Sequence, residues 1–129
     1  MKFSVEAKQA DPVMDYVMMM LHAATQAHIL HWKTPSRSDH EALNIFYEQV
    51  PSLLDNFVES FQGKYGKLHD YKPGFELPPE PLAFISAVCE RIEVLRREKR
   101  FPQDSFLQNM VDEMVALCES TKYQLKELK

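Results

Sequence analysis

The chain has 129 residues, 45% hydrophobic and 26% charged, with a net charge of −4. That is enough for one domain to bury a core without disulfide or metal staples, so we expect a single domain over residues 1–129. The acidic balance argues against a surface made for nucleic acid, and the longest apolar run, "VMMML" at 17–21, is far too short to cross a bilayer. No apolar leader precedes Asp11, which suggests a cytoplasmic protein, and Cys89 and Cys118 lack CxxC spacing and read as buried thiols.

Asp11-Pro12 is an N-cap with proline at the first helical position, and helical periodicity runs from there to about Trp32 through Val13, Val17, Met20, Ala24 and His31. "TPSRSD" breaks the pattern. Ser38-x-x-Glu41 then reads as a capping box opening a second helix that extends to about Gln62. Its core face is Leu43, Phe46, Val50, Leu53, Leu54, Phe57 and Phe61, and Pro51 should kink or break it. Residues 63–79 are the one long linker. A third helix is expected from about Pro81 to Lys99, with Phe84, Ile85, Val88, Ile92 and Leu95 inward. Phe101-Pro102 separates it from a fourth at roughly 103–128, carrying Phe106, Met110, Met114, Leu117, Cys118, Leu125 and Leu128. The run "RREKR" at 96–100 fits a solvated helix end, where positive charge is favoured.

The predicted fold is therefore all-α. Two short joints make antiparallel hairpins of helices one and two and of helices three and four. The linker could stretch to roughly 56 Å and return along the whole bundle. One long crossover between helices two and three is the ferritin-like arrangement; an up-down bundle with a long middle loop is the competitor.

The chemistry concentrates in "HILHWKTPSRSDHEALNIFYEQVPSLLDNFVE", residues 28–59, with three of the five histidines and the single tryptophan. Each residue alone has a plain structural reading: His31 as a core histidine, Asp55 and Glu59 as a solvated face, His22 and His28 as surface or interface residues. Together they form a pattern. At about 100° per residue, Asn44, Asp55, Glu48 and Glu59 lie at roughly 40°, 60°, 80° and 100° from His40, beside the apolar stripe and not opposite it. Imidazole with carboxylate suits iron, manganese or zinc. His40 and Asp55 are, however, 15 residues apart, about 22 Å along one helix, and cannot share an ion within one chain. Two copies of the helix laid antiparallel across a twofold axis would bring His40 of one chain to Asp55 and Glu59 of the other, with His31 close by across the turn, giving two equivalent sites per dimer.

This stretch resembles the Dps group of miniferritins. There an HW pair ends the first helix and a His opens the second, followed by an acidic residue four on, an Asp fifteen on and a Glu nineteen on. The matching residues are His31-Trp32, His40, Asp55 and Glu59, and the similarity covers about residues 20–65. With its ending "VESFQGKYG" the stretch also looks like short Dps-like proteins encoded by tailed phages. The resemblance implies an iron site at a dimer interface, with His31, His40, Asp55 and Glu59 as ligands, where iron(II) is oxidised by peroxide or oxygen: a ferroxidase. It also implies a homo-oligomer, from a twofold dimer up to the shells common in the family.

Four features depart from the pattern. Asn44 stands at the acidic position, the spacer between His31 and His40 is three residues shorter, the linker shows no extra helix, and no lysine-rich tail supports DNA binding. The Glu-x-x-His of ordinary ferritin sites is absent from the sequence. The alternative reading is a ferritin-like bundle without efficient chemistry that acts as a structural or interaction protein. A helical module that binds nucleic acid or a host protein has support only from the 96–100 cluster and the C-terminal lysines.

Overall fold

The computed structural model describes residues 11–72, 74 and 80–129. Four helices account for most of them: α1 (Pro12–Lys33), α2 (Arg37–Tyr65), α3 (Pro81–Arg96) and α4 (Ser105–Glu127). The expectations that fall on residues 1–10, 73 and 75–79 lie outside the described part. Within the linker, 67–72 contain no helix. No helix among the described residues is long and apolar enough to cross a membrane.

Local chemistry sets the boundaries. Asp11 Oδ1 accepts from the amides of Val13 (3.0 Å) and Met14 (3.2 Å), quenching two of the orphan donors at the start of α1. Glu80 does the same for α3, accepting from Leu82 and Ala83. The second helix opens earlier than the capping-box reading: Ser36, not Ser38, is its N-cap, with Oγ accepting from Asp39 N at 3.2 Å. Pro35 precedes that cap, and a residue before proline avoids helical angles, so Thr34 ends α1 extended and the turn is shorter than "TPSRSD" suggested. The far end of α2 runs on to Tyr65, where Gly66, at φ 98°, stops it.

Of the kink and the break that the sequence allowed at Pro51, the break does not occur: α2 runs on through it. Pro51 sits on the solvent face, where the carbonyl that loses its donor can be hydrated, while Val50 and Leu54 on either side are buried. Core burial of the long apolar face offsets a penalty of about 3 kcal/mol. The third helix ends at Arg96, three residues short of the expected end, and 97–101 form turns that bury Phe101.

Side-chain ties fix the helix directions. His31 near the end of α1 meets His40 near the start of α2. Lys64 and Tyr65 at the end of α2 both reach Asp104 at the start of α4, while Lys129 beyond α4 reaches Asp39 in the first turn of α2. Arg96 at the end of α3 binds Gln108 and Asp112 near the start of α4. Each of these pairs is antiparallel, so α2 and α3 run the same way. The start of α3 consequently stands about 24 Å, the length of a 16-residue helix, from the end of the bundle at which α2 stops. Around the bundle α1 packs on α2 and α3, and α4 packs on α2 and α3.

The core lies where the four apolar faces converge. Tyr16, Phe57 and Phe101 meet in it towards the end at which α2 stops, with ring centroids 4.9 and 5.7 Å from Tyr16 in edge contacts. Burial holds the Tyr16 phenol well above its ordinary pKa, with Cys118 adding to the effect, and its hydroxyl has no hydrogen-bond partner among the described residues. Phe106 and Leu128, expected inside, are 43% and 49% exposed. Phe106 lies in the first turn of α4 and Leu128 caps its end, where a helical stripe outruns the faces available to cover it.

Candidate metal centre at the α1–α2 turn

The three-residue turn 34–36 folds α2 back on α1 and brings His31 against His40. His31 Nδ1 donates to the backbone carbonyl of His40 at 2.7 Å, and His40 Nδ1 donates to the carbonyl of His31 at 2.8 Å. The assignment of donor is forced, because a carbonyl oxygen can only accept. Each neutral imidazole therefore carries its proton on Nδ1, and Nε2 is the remaining lone pair. The rings stack at 3.5 Å between centroids, tilted 23°. His31 is buried at 7% exposure, and His40 is exposed. Locking Nδ1 on a backbone carbonyl is the arrangement that orients metal-ligating histidines.

An aromatic layer lies against this pair; the sequence reading named His28 and Trp32 but neither Tyr47 nor the contacts among the three. His28 stacks on Tyr47 at 3.9 Å and lies 4.3 Å from the Trp32 ring; Tyr47 also meets His31 edge-on at 5.3 Å. Trp32 itself is 69% exposed. The Tyr47 hydroxyl donates to Asn44 Oδ1 at 2.7 Å. Asn44, one turn after His40, thus supplies no charge, and its oxygen is already engaged by Tyr47. The signals that could have found this layer are the four-residue step from His28 to Trp32 and the three-residue step from Asn44 to Tyr47.

Asp39, beside His40, is buried at 4% exposure. Lys129 Nζ holds its Oδ2 at 2.8 Å, and its Oδ1 has no partner among the described residues. The first turn of α2 favours this negative charge.

Asp55 and Glu59 lie farther along α2, both exposed. At 1.5 Å per residue they stand about 22 and 28 Å from His40. The structure therefore brings His31 and His40 together and keeps Asp55 and Glu59 away from them in the same chain. Among the described residues no three His, Cys, Asp or Glu side chains gather closely enough to hold an ion.

A family of unknown function, DUF5856, has a sequence profile that matches residues 31–125. The chain belongs to the DUF5856 family. The matched span starts at His31 and takes in His40, Asp55 and Glu59. The chain is also similar to a protein of Enterobacteria phage T4, described as an uncharacterized 14.6 kDa protein in the mobD-ri intergenic region. The two are 24% identical over 131 aligned residues, covering 97% of this chain and 98% of the phage protein. The likeness to a phage-encoded protein agrees with the phage side of the sequence resemblance. No solved structure matches the chain.

Proposed function

We propose that this DUF5856 protein is a Dps-like miniferritin that takes iron(II) as substrate at a site shared between two protomers and oxidises it with peroxide or oxygen, in the cytoplasm. His31 and His40 of one protomer supply imidazole nitrogen, and the carboxylates of Asp55 and Glu59 come from the α2 of its mate. The observation that carries this reading is the reciprocal hydrogen bonding of the two histidines, which commits both Nδ1 protons to carbonyls. Two neutral imidazoles with carboxylates suit iron(II), and manganese or zinc would compete for the same donors. Carboxylates stabilise the higher charge of iron(III), so they favour oxidation electrostatically.

Two further features support it. The common direction of α2 and α3 is what a ferritin-like crossover would require, and the exposed Asp55 and Glu59 are free to face a partner. The shared site requires at least a twofold dimer, from which a larger shell can be built.

A second reading draws on Asn44 and Trp32. With the Asn44 oxygen engaged by Tyr47 and Trp32 largely in solvent, the same surface suits an interaction protein that retains the bundle and has lost the chemistry.

The test adds iron(II) without oxygen, then peroxide, and follows ferric absorbance. The parent should exceed buffer alone, and His31→Ala or Asp55→Ala should slow it at least about tenfold while helicity and association persist. Variants that oxidise iron as fast as the parent would discard the site. A parent no faster than buffer would leave the interaction reading.

A further inference from the structure

We propose that Cys89 and Cys118 form a redox-active dithiol that hydrogen peroxide converts to an intramolecular disulfide joining α3 to α4. Both cysteines are free and buried, one on each helix of the second hairpin. Their register follows from the antiparallel packing. Arg96 pairs with Asp112, and seven residues back along α3 and seven forward along α4 stand Cys89 and Glu119. There Cys89 Sγ donates to Glu119 Oε2 at 3.3 Å, which places Cys118, the neighbour of Glu119, at the height of Cys89.

The two thiols differ in a way that divides the labour. A hydrogen bond from Cys118 favours the Cys89 thiolate, outweighing burial and the opposing Glu119 carboxylate. The same bond, followed by burial, pushes the Cys118 thiol up. Cys89, whose sulfur meets Glu119 at the wall of a groove, is the thiol an oxidant reaches first, and Cys118, fully buried, is the resolving thiol.

Access favours a small oxidant. Glu119, under the Cys89 sulfur, forms one wall of a groove of about 400 Å³ that Leu82, Ser86, Lys122 and Tyr123 also line. Cys89 itself is only 4% exposed, which excludes bulky disulfides and admits peroxide.

The step balances. The Cys89 thiolate attacks one peroxide oxygen, an S–O bond forms, the O–O bond breaks, and the leaving hydroxide takes up a proton as water. The Cys118 thiolate then displaces hydroxide from the sulfenic sulfur, forming the S–S bond and, with the proton Cys118 gave up, a second water. The two thiols lose two electrons and the peroxide gains them.

The chemistry is independent of the histidine pair, so the full chain is treated with peroxide in the presence of a metal chelator, and intact mass is read under denaturing, non-reducing conditions. The expected result is a loss of about 2 Da, two hydrogens, with no titratable thiol left and the Cys89 and Cys118 peptides linked within one chain. His31→Ala should behave identically. Cys118→Ser should accumulate a Cys89 sulfenic acid that dimedone captures, whereas Cys89→Ser should leave Cys118 unlabelled. Two thiols persisting in the parent, oxygen added to either cysteine without the 2 Da loss, or a disulfide between chains would each overturn the proposal. The parent measurement stands without either variant.

Discussion

Each end of the bundle carries an ion pair, Lys64–Asp104 where α2 stops and Lys129–Asp39 where it starts, but only the second also carries a stacked histidine pair. At the end where α2 stops, the polar side chains satisfy one another: Asp104 accepts from Lys64 and Tyr65, and Arg96 is tied to Gln108 and Asp112. Gln108 in turn donates to the carbonyls of Arg96 and Pro102. At the other end His31 and His40 bind each other's backbone, and each keeps a nitrogen lone pair that this bonding does not use. A charged lock that closes on itself stabilises a fold. A histidine pair held by its backbone contacts leaves the nitrogens that the proposed iron site would use.

Substitutions can sharpen that contrast. The largest effect is expected in the apolar core: Phe57→Ala opens a cavity beside Tyr16 and Phe101 and should cost about 3–5 kcal/mol in denaturant unfolding. Arg96→Ala should cost about 1–2 kcal/mol by the same measurement, because it takes the donor from the part-buried Gln108 oxygens, and it should leave iron oxidation unchanged. His31→Ala should invert the ratio, costing only about 1 kcal/mol of stability while removing the iron chemistry. If Arg96→Ala abolished oxidation, or His31→Ala unfolded the chain, the division between the ends would fail.

The smallest effect is a pH dependence at the closed end. The hydrogen bond from Lys64, then that from Tyr65, holds the Asp104 carboxyl below the usual carboxylate range. A depressed folded pKa contributes stability that is complete above the unfolded value, near pH 4, and is lost as pH falls through the folded value. Asp104→Asn should therefore flatten the acid limb of a stability profile below about pH 4. An unchanged acid limb would mean that the lock contributes nothing measurable.

What could be read from sequence follows the same division. The four helices came from apolar periodicity, and the closeness of His31 and His40 from a turn too short to separate them. The bonds between them were not legible, since reciprocal contacts to carbonyls depend on the crossing of two helices. Ser36 was passed over as a cap because Ser38 offered the fuller capping-box pattern. Tyr16 and Phe101 became core through tertiary packing: one falls between the positions of the α1 stripe, and the other sits in a turn with no periodicity. Phe106 was misread for the opposite reason. Its spacing is helical, but it stands over Lys64 at the surface, at the end of the bundle.

The central claim is that nitrogen donors of one chain and oxygen donors of another form one iron site. Native mass spectrometry with iron(II) tests it on three samples: a His31→Ala/His40→Ala chain, an Asp55→Ala/Glu59→Ala chain, and the two mixed. Each variant alone should assemble and bind no iron, because every site lacks one half. In a mixed dimer one site has both halves, so it should regain half the parent's iron. Iron bound by either variant at the parent level, or mixed dimers that bind none, would contradict the account.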